Sequence, residues 1–252
     1  MNAELFSVDN KVAIITGASR GIGRTLAEGF LQHGARVSLV SRSAEPLQEL
    51  VAAFPDTARD IACDIAEPGM GAQICDETLE QFDRIDVLIN CAGVSGGTDD
   101  PYSDEVWDRT LDVNLKAAFQ ISRAACEIMS ECGGGSIINI ASIGAILGFP
   151  NNPAYQASKA GLKHLTKALA RDWGAHGIRV NTVCPGYFPT AMTQATHSKP
   201  ELQRERSERS MLGRWGECRE LLGPCLFLAS EAASFVTASD LVVDGGWSAR
   251  GL

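Results

Sequence analysis

Short runs of β-branched and aliphatic residues alternate with longer segments of helical periodicity along the whole chain. The short runs occupy residues 12–16, 36–40, 86–90, 136–140, 179–183 and 241–243, with a weaker one at 58–63. Their apolar character on both faces suits strands buried inside a parallel sheet. Helical spacing covers 22–33, 46–53, 67–82, 103–130, 154–175 and 217–230. Such an alternation predicts an α/β fold with a doubly wound parallel sheet and right-handed crossovers. No Pro- or Ser-rich linker, repeat or low-complexity tract divides the 252 residues, so a single domain over 1–252 is expected.

The first predicted strand runs directly into Thr16-Gly17-Ala18-Ser19-Arg20-Gly21-Ile22-Gly23. Glycines between a strand and a helix permit a tight turn and let backbone N–H groups approach a pyrophosphate at the helix N-terminus. Glycine-rich turns also occur for steric reasons alone, but this one opens the first strand–helix–strand unit. A dinucleotide-binding Rossmann fold follows. An NAD-preferring site places an acid at the end of the second strand, roughly 20 residues past the glycines. Here that position reads Val40-Ser41-Arg42-Ser43. Arg42, joined by Arg20 from the glycine loop, can pair with a 2′-phosphate, which points to NADP(H). Asp64, after the weak third strand, could accept from the adenine amino group or cap a helix.

Charge narrows the partners. The 22 Lys and Arg against 31 Asp and Glu give a net charge of −9, contrary to a nucleic-acid or anionic-membrane surface. No apolar run reaches the length of about 18 residues that a membrane helix needs. The N-terminal segment lacks the basic start and apolar stretch of a signal peptide. The eight cysteines form no C-x-x-C pair and have no His at zinc-site spacing, so reduced thiols and no metal are expected. A cytoplasmic location is the expectation.

Of the three tyrosines, Tyr102, Tyr155 and Tyr187, only Tyr155 has a lysine at i+4, in Tyr155-Gln-Ala-Ser-Lys159. That spacing puts both side chains on one helical face. A phenol titrates near 10 in water, roughly three units too high for ready proton exchange at neutral pH. A nearby ammonium favours the phenolate and lowers it. Ser142, which ends the predicted fifth strand in Asn139-Ile-Ala-Ser142, can donate to a carbonyl oxygen beside the tyrosine. Asn114 interrupts the apolar pattern of the 103–130 helix, as a polar residue bonded to a backbone group would.

These motifs, in this order, resemble those of the short-chain dehydrogenases/reductases. The resemblance spans essentially the full chain: Thr16–Gly23, Asn90-Cys-Ala-Gly93, Asn114, Ser142, Tyr155-x-x-x-Lys159, Pro185-Gly186 and Val243-Asp-Gly-Gly246. It implies that Tyr155 is the general acid/base and that Lys159 holds the nicotinamide ribose and lowers the tyrosine pKa. Ser142 would orient the substrate, and Asn114 would hold a water of a proton relay. The cofactor would lie on Gly17, Ser19, Arg20, Gly21, Ile22, Gly23, Ser41, Arg42, Asp64, Ile65, Asn90, Ala92, Gly93, Tyr155 and Lys159, with Asn90 along the adenosine ribose. Pro185, Gly186 and Thr190 would contact the nicotinamide. The family usually has Asn-Asn-Ala-Gly where this chain has Cys91, which puts one local hydrogen bond in doubt. The implied reaction is hydride transfer between NADP(H) and a small carbonyl/alcohol pair. The implied assembly is a homotetramer joined through the 103–130 and 154–175 helices.

The irregular stretch 186–215 follows the sixth strand, where ligands bind in such sheets, and is expected to be a substrate lid. Pro185-Gly-Tyr-Phe-Pro-Thr-Ala-Met-Thr-Gln194 resembles the lid start of gluconate 5-dehydrogenase-like members, which interconvert a sugar acid and its keto form. Tyr187, Phe188, Met192 and Trp215 would give that lid an apolar body. Lys199, Arg204, Arg206 and Arg209 are bases that can meet a carboxylate, but alternation with Glu201, Glu205 and Glu208 fits a solvated helix. A 3-oxoacyl-acyl-carrier-protein reductase is an alternative, against which stand the net acidity and the cation-free Ser130-Glu-Cys-Gly-Gly-Gly135. A non-catalytic NADP(H)-binding regulator is a second alternative, and the intact set Asn114, Ser142, Tyr155 and Lys159 weighs against it.

Overall fold

Seven parallel strands form one sheet in the order β3-β2-β1-β4-β5-β6-β7. The computed structural model describes residues 3–96 and 100–250; Met1 and Asn2 of the N-terminal segment and the last two residues lie outside it. The first half comprises β1 (Val12–Thr16), α1 (Gly21–Gln32), β2 (Arg36–Ser41), α2 (Glu45–Ala53), β3 (Ala58–Ala62), α3 (Met70–Phe82) and β4 (Val87–Asn90). Then come α4 (Asp104–Leu111), α5 (Ala117–Glu131), β5 (Gly135–Ile140), α6 (Pro153–Trp173) and β6 (Ile178–Pro185). The chain ends with α7 (Gln194–His197), α8 (Pro200–Arg209), α9 (Leu222–Ala229) and β7 (Asp240–Val243). Strand order reverses between β1 and β4, which opens a crevice at their carboxyl ends.

Side chains alternate across each strand, so neighbours feed opposite layers. Ile15, Leu39 and Ile89 pack with Leu26 and Phe30 of α1 and Leu228 of α9. Ile14, Val40 and Leu88 pack on the other face with Ile121 and Met129 of α5 and Leu169 of α6. The sheet therefore has a helical layer on each side, as the continuous apolar strands require.

A buried polar seam crosses the second half of the sheet. Asn90 Nδ2 donates to Asn139 Oδ1 at 2.9 Å and to Ser122 Oγ at 3.0 Å. Asn139 Nδ2 donates to Thr166 Oγ1 of α6 at 2.8 Å, and Thr182 Oγ1 reaches the same oxygen at 3.0 Å. Thr166 passes its own proton to the Leu162 carbonyl at 3.0 Å. These bonds tie β4, β5 and β6 to α6.

Several boundaries differ from expectation, among them the helix expected over 217–230, whose α-helical part α9 begins only at Leu222 after a tighter turn at Cys218–Leu221. The predicted 103–130 helix is broken into α4 and α5 by a wide turn at Asp112–Lys116 with i→i+5 bonding. Helix α3 starts at Met70 rather than 67, because Gly69 is left-handed (φ 84°) and follows Pro68. The 186–215 stretch contains two helices: α8 is the solvated helix that its alternating charges fit, and the short α7 before it carried no sequence signal. Strand ends move by up to two residues, most visibly β6, which continues to Pro185 because Cys184 and Pro185 pair with β7.

Asn139→Ala removes the hub of the seam: one Asn90 amide hydrogen loses its acceptor, while Asn90 keeps Ser122 and Thr166 keeps Thr182 and Leu162. A loss of about 1–3 kcal/mol is expected for such a change. It would appear as a lower urea midpoint at unchanged m-value; a midpoint equal to that of the unaltered protein would show the seam to be energetically neutral.

Candidate active site

A cleft of about 710 Å³ lies over the carboxyl ends of the central strands. Its floor begins at the glycine loop. Gly17 has φ +74°, and a Cβ there would stand 2.9 Å from Ala92 Cα; a Cβ on Gly23 would stand 2.2 Å from the Gly17 carbonyl. Only glycine permits that approach. Helix α1 starts at Gly21 with no side-chain cap on its first amides, and Gly21, Ile22 and Gly23 line the cleft. Uncapped amides at a helix start form a cradle for an anion, so these residues fit a dinucleotide pyrophosphate. Thr16 Oγ1 accepts from the Cys91 and Ala92 amides at 3.0 Å each, locking the end of β4 to the loop. The bond at Cys91 is thus made by its main chain. Burial pushes the Cys91 thiol up to about 12, so it stays neutral.

Ser19, Arg20, Ser41, Arg42, Asp64 and Ile65 line the other end of the cleft. Arg20 and Arg42 are exposed, and neither makes an ion pair among the described residues. Asp64 Oδ1 accepts from the Ala66 amide at 3.1 Å and Oδ2 pairs with Arg109 at 2.6 Å. Partial burial raises the Asp64 pKa, but the Ala66 amide and Arg109 together outweigh it and lower the value. Arg109 also lines the cleft. Sequence reasoning missed it, because a single arginine in a helical stretch carries no sign of a partner 45 residues away.

Ser142, Tyr155 and Lys159 meet at the opposite end, beside Ala92, Gly93, Pro185, Gly186 and Thr190. Ser142 leaves β5 and accepts from the Gly144 amide at 3.0 Å. Tyr155 and Lys159 lie one turn apart at the start of α6, with the ammonium 5.9 Å from the phenol ring centroid. Lys159 Nζ donates to the Ile140 carbonyl at 2.7 Å. Burial lowers its pKa to about 8. Burial also raises the Tyr155 pKa, and a hydrogen bond from Ser142 opposes it only in part. Desolvation thus dominates at the phenol, and Lys159 is not among the groups that lower it. Two hydroxyls beside a buried amine can hold a carbonyl oxygen and exchange a proton with it.

The side chains of two predicted residues are spent on buried hydrogen bonds. The Asn90 side chain points into the core seam, not into the cleft, so only its backbone can reach a ribose. Asn114 sits in the wide turn, 1% exposed, with Oδ1 accepting from the Val94 amide at 2.8 Å. Its Nδ2 donates to the Val94 carbonyl at 2.8 Å and to Ser158 Oγ at 3.0 Å. Both amide protons are used, so the side chain is satisfied by the backbone, as the sequence implied, and ties the turn to α6.

The lid's apolar body also differs. Phe188 is buried and Trp215 nearly so, but Met192 is exposed at the cleft rim. Trp215 and Trp247 pack on Tyr187 at 5.2 and 5.6 Å, with Phe149 at 6.5 Å. Trp247 and Phe149 gave no sequence signal, since each is an isolated aromatic in a loop. Helix α8 has no buried residue, as a solvated helix would, yet Arg206 and Arg209 turn back over Tyr187 and Trp247.

A pH test isolates the buried amine. The folded pKa of Lys159 lies below the unfolded value of 10.5. Between about 8 and 10.5 the unfolded chain holds the proton that the folded one has lost, so stability gained from this group rises with pH. Lys159→Met deletes that rise. The stability difference between the unaltered protein and Lys159→Met, measured by urea unfolding, should move in favour of the unaltered protein from pH 7.5 towards 10. A constant difference would mean that Lys159 is not desolvated.

The sequence model of the family described as Enoyl-(Acyl carrier protein) reductase matches residues 17–248. Gluconate 5-dehydrogenase of Gluconobacter oxydans is 37% identical over 247 residues, covering 96% of each chain. D-threitol dehydrogenase of Mycolicibacterium smegmatis is 36% identical over 251 residues, covering 97% of this chain and 95% of that one. The crystal structure of a gluconate 5-dehydrogenase from Burkholderia cenocepacia, in complex with NADP and tartrate, superimposes with a TM-score of 0.93 at 34% identity. That likeness covers 98% of this chain and 99% of the other.

Proposed function

The chain belongs to the short-chain dehydrogenase/reductase family, and from that premise we propose that it interconverts a secondary alcohol and a ketone on a small polyhydroxylated acid, with NADP(H) as its cofactor. The observation that carries this reading is the meeting of Ser142, Tyr155 and Lys159 in one cleft with the glycine loop. The relatives named for gluconate support the substrate class.

Bound NADP(H) supplies or accepts the hydride. Gly17, Ser19, Gly21, Ile22 and Gly23 would hold its pyrophosphate, and Arg20 and Arg42 its 2′-phosphate. Asp64, with Ile65 beside it, would face the adenine, and Pro185, Gly186 and Thr190 the nicotinamide. In the reducing direction Ser142 and Tyr155 donate to the substrate carbonyl oxygen. As negative charge grows on that oxygen, Tyr155 releases its proton to it, and the Lys159 ammonium favours the tyrosinate left behind. Asn114 holds α6 so that Tyr155 and Lys159 keep their places. In the oxidising direction the tyrosinate takes the proton back. We also read the protein as a cytoplasmic homotetramer; a shallow apolar groove of Leu111, Leu115, Phe119 and Leu165 along α4–α6 supports assembly through those helices.

Tyr155→Phe keeps the ring and deletes the exchangeable proton. Turnover should fall by roughly 10²–10⁴-fold while NADPH still binds. Tyr187→Phe is the comparison, because Tyr187 has no lysine at i+4. Survival of turnover in Tyr155→Phe but not in Tyr187→Phe would place the proton donor in the lid. The cofactor choice has its own test: NADPH should bind more tightly than NADH, and Arg42→Asp should erase or invert that order through repulsion. Equal affinities in fluorescence titrations of the unaltered protein would refute it.

A further inference from the structure

Among the described residues, Arg206 Nε and Trp247 Nε1 are both buried without a hydrogen-bond partner, whereas buried donors are nearly always paired. Both belong to one group of side chains. The Arg206 guanidinium lies 5.4 Å from the Tyr187 ring centroid, and the Trp247 ring lies 5.6 Å from it. Trp215 packs on the same ring but spends its Nε1–H on the Gln203 carbonyl at 3.1 Å. The orphaned donors are therefore not a general trait of the cluster. Glu205, an exposed residue, takes Arg206 Nη1 at 2.6 Å, and the guanidinium also bonds the Tyr187 hydroxyl, while its Nε stays unpaired. Arg209 adds a second cation 4.7 Å from the Trp247 ring centroid.

The cluster is tied to the reacting end of the cleft. Phe149 packs on Trp247 at 5.6 Å and edge-on to Tyr187 at 6.5 Å. Gln156, the residue after Tyr155, bonds both the amide and the carbonyl of Phe149 at 2.7 Å. Tyr187 also bears electrostatically on the Tyr155 phenol. Two unpaired donors, one of them cationic, against an aromatic floor call for a small anionic acceptor, and a carboxylate matches a guanidinium edge best.

We propose that Arg206 and Trp247 form the carboxylate subsite of this enzyme. They bind the acid end of a hydroxy or keto acid whose reacting carbon lies at Tyr155, and so select acids over neutral polyols. The inference rests on the hydride-transfer reading of the cleft and concerns the other end of the substrate.

The test compares kcat/KM with NADP⁺ for D-gluconate and for D-glucitol, in which a CH₂OH replaces the carboxylate. The unaltered enzyme should favour gluconate. Arg206→Gln and Trp247→Phe should each lower gluconate kcat/KM, through KM, by about 10–100-fold, the loss expected for a charge-assisted hydrogen bond. The gluconate-to-glucitol ratio should shrink accordingly. Arg206→Lys should recover only part, because an ammonium lacks the planar fork. Arg204→Gln, an exposed position on the same helix, should leave the ratio unchanged. Trp247→Phe keeps the ring, so it tests the subsite even if Arg206→Gln fails to fold. Oxidation of gluconate with an unchanged ratio in both variants would overturn the subsite and leave the proposed function standing. Equal use of glucitol and gluconate by the unaltered enzyme would overturn it too, with the reaction class intact. Turnover of neither would overturn the polyhydroxylated-acid reading and the subsite together.

Discussion

The attachment of α6 to the sheet is the constraint on which the site depends. Lys159 Nζ bonds the Ile140 carbonyl at the end of β5, and further along the helix Thr166 receives Asn139 and Thr182. Asn114 grips the same helix at Ser158 from the opposite side. These are polar contacts in a buried setting, where an unmade bond costs more than a made one gains. Directional bonds add fixed geometry to the apolar packing, and Tyr155 and Lys159 inherit their positions from both.

Burial then gives the same residues their chemistry. A lysine 4% exposed and bonded to a single carbonyl gives up its proton far more readily than one in water, at about 8. The phenol beside it is pushed the other way. At neutral pH a lysine that titrates at about 8 is still largely an ammonium, and the phenol still holds the proton it donates. Desolvation sets that baseline, and any charge brought into so dry a site acts through a low dielectric, where its influence is large.

The fold was legible because its signals are local and repeated. Each β-branched run in the sequence is a strand, and the glycine loop, Ser142 and the Tyr155/Lys159 pair stand together as their spacing implied. What escaped was whatever depends on a partner distant in sequence. The wide turn at Asp112–Lys116 has helical composition, and it becomes intelligible only once Asn114 is seen bonding Val94 and Ser158. Asn90 belongs to a motif, but the motif does not say that its amide turns into the core. Arg109, Phe149 and Trp247 lie in stretches without pattern, and their roles come from Asp64, Gln156 and Tyr187.

That division has a consequence for how substrate choice is built. The relatives named for gluconate and for threitol each cover 95% or more of their own length and of this chain at 36–37% identity. One sheet thus carries enzymes named for different substrates, and the difference must reside in side chains rather than in topology. In this chain those side chains hang on α8 and on the turn after β7. Both elements sit outside the sheet, and α8 buries none of its residues. An arginine there can be exchanged without disturbing the seam that holds Tyr155 and Lys159. Chemistry is fixed where bonds are buried and directional, and selectivity is left to a helix that contributes little to the core.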